Sequence, residues 1–126
     1  MRIFKNKWFN NWTRKEKISD DTLIEATNEI ETGKVEANLG GFLFKKRLPK
    51  SGSGKSGGYR VLVAYKEGNR VVFLYAFAKN QRSNISEKEK AALKLVSKSI
   101  LAATEKQLKT LIKKGSIWEV KEFKNE

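Results

Sequence analysis

Two basic stretches hold the residues of this chain that are best suited to chemistry. Residues 45–60 place Lys45, Lys46, Arg47, Lys50, Lys55 and Arg60 around a loop of glycines and serines. Residues 75–82 place Lys79, Asn80 and Arg82 behind Tyr75 and Phe77. Neither stretch contains a carboxylate. Cations without local acids, interleaved with aromatic rings, suit a polyanion. Arginine stays charged and grips a phosphate through two N–H groups at once. Tyr59 and Phe77 offer flat faces on which a splayed base can stack.

Composition narrows what such a site can do. The chain has 126 residues, 27 Lys plus Arg against 14 Asp plus Glu, and a formal net charge of +13. That balance predicts salt-sensitive attraction to nucleic acid, an anionic membrane or an acidic protein. There is no cysteine, which removes disulfides, thiolate nucleophiles and Cys-ligated zinc. There is no histidine either, which removes the usual general base and imidazole metal sites. Catalysis must then rest on Lys, Arg, Tyr, carboxylates, hydroxyls or backbone groups, and neither a metal nor a cofactor is expected. No apolar run reaches membrane-spanning length, and the first residues lack a secretory pattern. The expectation is a soluble, cytoplasmic protein without membrane contact, and in that compartment a basic protein meets mostly RNA.

The segment Gly54-Lys55-Ser56 invites a phosphate-loop reading that fails. The pattern requires its first glycine where Pro49 stands. A phosphate loop also opens a helix, whereas this one leads into Tyr59-Arg60-Val61-Leu62-Val63, which reads as a strand. ATPase or GTPase activity is therefore not expected.

The two stretches need elements to bring them together. Residues 59–65 and 71–77 are rich in valine and aromatics and read as inner strands covered on both faces. A two-residue turn with Gly68 at its first central position pairs Glu67 with Arg70 and Arg60 with Phe77. That register carries both basic stretches to one end of a sheet. Residues 1–4 and 42–48 suit further strands, with Leu39-Gly40-Gly41 as the turn before the second. Trp8, Phe9 and Trp12 recur at helical spacing, and the simplest expectation is that they pack a helix onto the sheet. Ser19 and Gly33 bracket a second helix. Ser86 with Glu89, and Thr104 with Gln107, form two capping boxes, so the C-terminal helical region splits near Ala103. Leu93, Val96 and Ile100 should be buried from the first of these helices, and Leu108, Leu111 and Ile112 from the second. Ile117, Val120 and Phe123 fit a last edge strand. The fold class expected is α+β, a small curved antiparallel sheet against N-terminal and C-terminal helices in a single domain over residues 1–126.

The order of these blocks resembles a known family. An aromatic helix is followed by Leu39-Gly40-Gly41, Lys46-Arg47, Gly54-Lys55-Ser56-Gly57-Gly58-Tyr59-Arg60, a hydrophobic hairpin and Phe77-Ala78-Lys79-Asn80. Asn84-Ile85-Ser86 and a long helix come next. This is similar to RelE/HigB-type toxins of bacterial type II toxin–antitoxin systems, in the branch paired with helix-turn-helix antitoxins. The resemblance implies a RelE-like fold and an mRNA endonuclease acting in the ribosomal A site to block translation. It implies three partners: a cognate antitoxin, the ribosome with mRNA, and operator DNA reached only through the antitoxin complex. Family sites are basic and vary between branches, so only the general role of sheet-end lysines and arginines carries over.

RNA brings its own nucleophile, the 2′-OH. Crowded cations disfavour one more positive charge, so a lysine among them gives up its proton more readily and can act as a base. Lys79 and Lys55 are the first candidates and Lys46 the third. Arg60 and Arg82 can stabilise the charge that develops on the phosphate. The expected catalytic set is Lys55, Arg60, Lys79 and Arg82. Contacts to RNA or ribosome fall to Lys45, Lys46, Arg47, Lys50, Tyr59, Phe77 and Asn80. If Arg60 is buried it needs an acid, and Glu87 or Glu89 could supply one. Two other functions compete: a non-enzymatic toxin like the related ParE group, which poisons DNA gyrase, and a basic RNA-binding module without catalysis.

Overall fold

The computed structural model describes residues 1–50 and 58–120. The glycine loop with Lys55, and the C-terminal segment with Phe123, lie outside the described residues. In chain order the elements are β1 (Arg2–Asn6), α1 (Lys7–Glu16), α2 (Asp20–Glu31), β2 (Ala37–Gly40), β3 (Leu43–Leu48), β4 (Tyr59–Tyr65), β5 (Arg70–Ala78), α3 (Glu87–Ala102), α4 (Glu105–Lys113) and β6 (Ile117–Val120). The strands form one open sheet in the order β2-β3-β4-β5-β1-β6. The α+β class holds, but the sheet is mixed, because β1 runs parallel to β5 while the other pairs are antiparallel. Position in the sheet separates them: β1 is reached from β5 only through a helical connection, whereas hairpins impose antiparallel pairing.

Strands β4 and β5 are buried on both faces, as their unbroken apolar runs require. Val61, Val63, Val71 and Phe73 meet Phe9, Leu23, Ala26 and Ile30 from α1 and α2. Leu62, Ala64, Val72 and Leu74 meet Leu101 and Leu108 from α3 and α4. Each fully buried Leu or Phe contributes about 1.5–3 kcal/mol relative to exposure, so this two-sided core fixes the central hairpin as a rigid platform.

The hairpin reaches the expected register by a different route. Lys66, not Glu67, lies opposite Arg70, with Lys66 N–H donating to the Arg70 carbonyl at 3.4 Å. Glu67, Gly68 and Asn69 form the loop, closed by Asn69 N–H to the Lys66 carbonyl at 3.0 Å, and Gly68 takes φ 72°. That shift of one residue is absorbed by a bulge. Val63 faces Phe73 but Leu62 faces Tyr75, so Leu74 is the extra residue. Beyond the bulge Arg60 faces Phe77, as the two-residue turn also required. The Asn6 side chain ties this bulge to α1. Its Oδ1 accepts the Phe9 N–H at 2.8 Å as the helix cap, and its Nδ2 donates to the Leu74 carbonyl at 3.0 Å.

The two capping boxes form as expected, and α3 ends at Ala103 in extended conformation. The buried side of α3 differs. Ser97 and Leu101 are buried and Leu93 and Ile100 partly so, while Val96 is exposed. The reason is a close approach: Ser97 Oγ donates to the Gly41 carbonyl at 2.9 Å. A Cβ on Gly40 or Gly41 would meet the Lys94 or Lys98 side chain at 3.2–3.3 Å. On α4, Leu108 is buried and Leu111 partly so, but Ile112 is exposed. Strand β2 was not anticipated. Its Ala37–Gly40 pairing with β3 runs through an irregular register and carries no apolar alternation.

Candidate functional site

At one end of the sheet three adjacent strands set their side chains in a row. Arg47 of β3 faces Arg60 of β4, which faces Phe77 of β5. Partners directly opposite share a face, and this row lies on the α3 side with Leu62 and Ala64. Lys45 precedes Arg47 by two residues and so points the same way. The ladder continues past β5 with Lys79 N–H donating to the Gly58 carbonyl at 3.1 Å, which puts Lys79 in step with Phe77. Arg82 returns over the row, its guanidinium 5.6 Å from the Phe77 ring centre.

The site holds carboxylates that neither basic stretch contains. Arg60 is buried, and its Nε donates to both Glu36 oxygens at 3.1 and 2.9 Å. Lys45 Nζ lies 3.8 Å from the same carboxylate and 3.5 Å from Asn84 Oδ1. Arg82 donates to both Glu89 oxygens at 3.1 and 2.6 Å, and to the Asn84 carbonyl at 2.9 Å. The expectation of an acid-free end is therefore corrected. So is the expected partner of Arg60: Glu89 serves Arg82, and Glu36 serves Arg60. Glu36 sits just before β2, the strand that gave no signal in the sequence, so no local pattern pointed to it. The Arg82 N–H groups, followed by the Ser86 backbone N–H, hold the Glu89 carboxyl down at about 2. The Arg82 guanidinium is correspondingly raised by Glu89.

Two cations are less tied. Lys79 Nζ donates to the Ser83 carbonyl at 3.0 Å and is exposed. Arg47 is exposed and makes no ion pair with any of the described residues. Lys45, Arg47, Arg60, Lys79 and Arg82 against Glu36 and Glu89 leave the end strongly positive. An arrangement of this kind binds phosphate oxygens and stabilises charge that builds on them.

Other sequence candidates lie elsewhere. Lys46 alternates to the opposite face, where it is buried and pairs with Glu29 of α2 at 3.1 Å. Tyr59 also turns to that face. Its hydroxyl donates to Glu16 at 2.7 Å, and burial first, then Glu16, pushes it up to about 12. Its ring meets the Trp12 ring edge-on, and Lys50 Nζ stands 6.0 Å above it. Phe77 is 5% exposed and packs in the α3-side core, so it supports Arg82 rather than presenting a free face. Asn80 is exposed in the turn after β5. Lys55 lies outside the described residues. The expected packing role of the α1 aromatics holds for Phe9 and in part for Trp12, but Trp8 is 42% exposed.

A larger cleft of about 730 Å³ lies between α3 and α4, lined by Leu95, Val96, Ile100 and Leu111. Its walls are aliphatic, and it holds none of the sheet-end cations. Among the described residues no helix is long and apolar enough to cross a membrane.

Comparison with curated proteins returns no match. Residues 1–120 match the family model described as the RelE toxin of the RelE / RelB toxin-antitoxin system. That match spans every described strand and helix, including the three strands that build the basic row, and the chain belongs to the RelE toxin family as the toxin component of a toxin–antitoxin system, with an antitoxin as its partner.

Proposed function

We propose that this toxin is a ribosome-dependent endoribonuclease that cuts mRNA in the A site and so inhibits translation. The observation that carries the reading is the row of Arg47 and Arg60 on adjacent strands, with Lys45, Lys79 and Arg82 around it. In-line attack by a 2′-OH on the next phosphorus breaks the bond to the 5′-oxygen. It needs a proton removed, charge stabilised on the phosphoryl oxygens, and a proton delivered to the leaving oxygen. Arg47 and Arg60 suit the second task, because their donors are fixed by a strand pair and need little rearrangement. Lys79, held only through a carbonyl, can exchange that contact for a substrate oxygen and exchange protons there. Arg82, clamped by Glu89, supplies a fixed positive wall. The 2′-OH is the nucleophile, so the scheme requires no metal.

A histidine-free site is a weak acid–base device alone. Alignment of mRNA by the ribosome supplies the positioning that the side chains lack. Ribosomes and mRNA place this activity in the cytoplasm. The partner in this reading is a helix-turn-helix antitoxin of the HigB-type branch. It covers the basic end or holds it away from the ribosome, and operator DNA is reached only through that complex. An acidic antitoxin segment is the natural complement to the excess charge.

The test is a purified translation reaction on a defined mRNA, with and without ribosomes, its 5′ ends mapped by primer extension. New ends at A-site codons only with ribosomes are expected. Intact mRNA from protein that still arrests cells overturns the reading in favour of a gyrase-directed toxin. Salt-sensitive RNA binding with neither cleavage nor arrest reduces it to a binding module.

A further inference from the structure

The unpaired edge of β5 carries a second surface. Strand β1 pairs only with Arg70–Phe73, so residues 75–78 have no neighbouring strand on that side among the described residues. A groove of about 430 Å³ runs along this edge, bounded by Trp8 and Trp12 of α1 and by Tyr75 of β5. The Trp8 ring centre lies 4.5 Å from that of Tyr75, and its plane is within 11° of the Trp12 plane. Trp8 is nevertheless 42% exposed, while the next residue, Phe9, is fully buried. Lys15, Lys50 and Arg82 also line this groove. The one carboxylate on its wall, Glu16, is engaged by the Tyr59 hydroxyl.

We propose that the Trp8–Tyr75 groove is a stacking site for an unpaired nucleobase of single-stranded RNA, with Lys15 and Lys50 on the flanking phosphates. It rests on the RNA reading above and extends it, because Arg82 borders both the groove and the basic row. Flat rings present large π-faces that any base can cover, whatever the sequence. An aliphatic or helical partner would find few shape-matched knobs there, whereas a base laid on the exposed part of Trp8 prolongs an existing stack. The cationic rim then meets the phosphates on either side of that base. Such a site would hold the strand beside the basic row and fix where along it the cut falls.

The test uses the full chain, a labelled hexaadenylate, and a six-unit abasic ribose-phosphate oligomer of the same charge. Fluorescence anisotropy gives both affinities, and quenching of tryptophan emission reports stacking. The wild-type chain should prefer the base-bearing oligomer by roughly 5- to 100-fold. Trp8→Ala should erase that preference, leave abasic binding unchanged and unfold at the same temperature. Trp8→Phe should restore part of the preference. Equal wild-type affinity for the two oligomers overturns the proposal without needing any variant. So does a Trp8→Ala chain that keeps the full preference, or one that loses antitoxin binding alone, which would make the groove a protein surface. Ribosome-dependent cleavage is scored separately. Cleavage without base preference sinks the groove and spares the activity, and base preference without cleavage does the reverse.

Discussion

Glu36 both steadies the basic end and opposes its charge, so removing its charge should move two observables in opposite directions. The perturbation is Glu36→Gln, which keeps the shape and one oxygen acceptor. Arg60 is 8% exposed at its side chain and Glu36 31% exposed, with both carboxylate oxygens within 3.1 Å of Arg60 Nε. Breaking a fully buried pair costs about 3–5 kcal/mol, and a surface pair is worth about 0–1 kcal/mol. This pair has one buried and one partly exposed partner, so about 2 kcal/mol is expected. For a domain of 126 residues that loss lowers Tm by roughly 6–8 °C.

The same change removes one negative charge from the phosphate site. A unit charge about 5 Å from a phosphate in a high-dielectric surface is worth about 0.8 kcal/mol, roughly fourfold in affinity at low salt. Thermal melts and oligoribonucleotide titrations at two salt concentrations measure both quantities on one preparation. The expected result is a less stable chain that binds RNA more tightly, with the gain shrinking as salt rises. A Glu36→Gln chain that melts at the wild-type temperature would refute the claim that Arg60 depends on this carboxylate. One that binds RNA more weakly would show that Arg60 must be held by Glu36 to meet phosphate at all.

Arg47→Ala should cut ribosome-dependent cleavage by about 10- to 100-fold, from one lost charge-assisted contact, while changing stability by less than about 0.5 kcal/mol; Lys90→Ala on α3 should do neither, and equal cleavage by all three chains would remove Arg47 from the site. Asn6→Asp keeps the α1 cap but loses the donor to the Leu74 carbonyl, so urea denaturation should show a loss of about 1–2 kcal/mol; an unchanged midpoint would mean the bulge holds without it. The Glu89 carboxyl is depressed to about 2 from its ordinary 4.5. Its contribution to stability is therefore fully present above about pH 4.5 and lost as pH falls through about 2. Stability measured from pH 5 to pH 2 should fall more steeply for the wild-type chain than for Glu89→Gln, and parallel curves would count against the Arg82 clamp.

The readable parts of this fold were those written in local chemistry. Capping boxes at Ser86 and Thr104 need only four consecutive residues each, and both formed. The runs at β4 and β5 announced strands buried on two faces, because nothing in them is fit for water. The basic row was legible for the same reason: Arg47, Arg60 and Lys79 lie on or directly after strands that the sequence marks. What could not be read was set by distance along the chain. Glu36 reaches Arg60 from before an irregular edge strand. Lys46 sits in the same basic cluster as Arg47, yet strict alternation sends it to Glu29 on the other face. Trp8 shares helical spacing with Phe9 and Trp12, but its exposure depends on where β1 stops beside β5.

One inserted residue connects these outcomes. In a strand, a shift of one position turns every later side chain to the other face. The hairpin loop runs one residue longer than a two-residue turn, and without the Leu74 bulge Phe77 would point toward α1. Lys79, two positions on, would follow it and leave Arg60 and Arg47. Tyr75 would turn with them, away from the face on which it packs with Leu93 and Ile100. The bulge reverses the slip, and Asn6 fastens its carbonyl to the first turn of α1. The cap that starts the aromatic helix therefore also fixes the register of the strand that ends at Lys79. The positions of the cations and of Trp8 are thus set by the same few atoms around Asn6 and Leu74. Damage at that junction should disturb phosphate binding and base stacking together, although Asn6 lies outside the basic row.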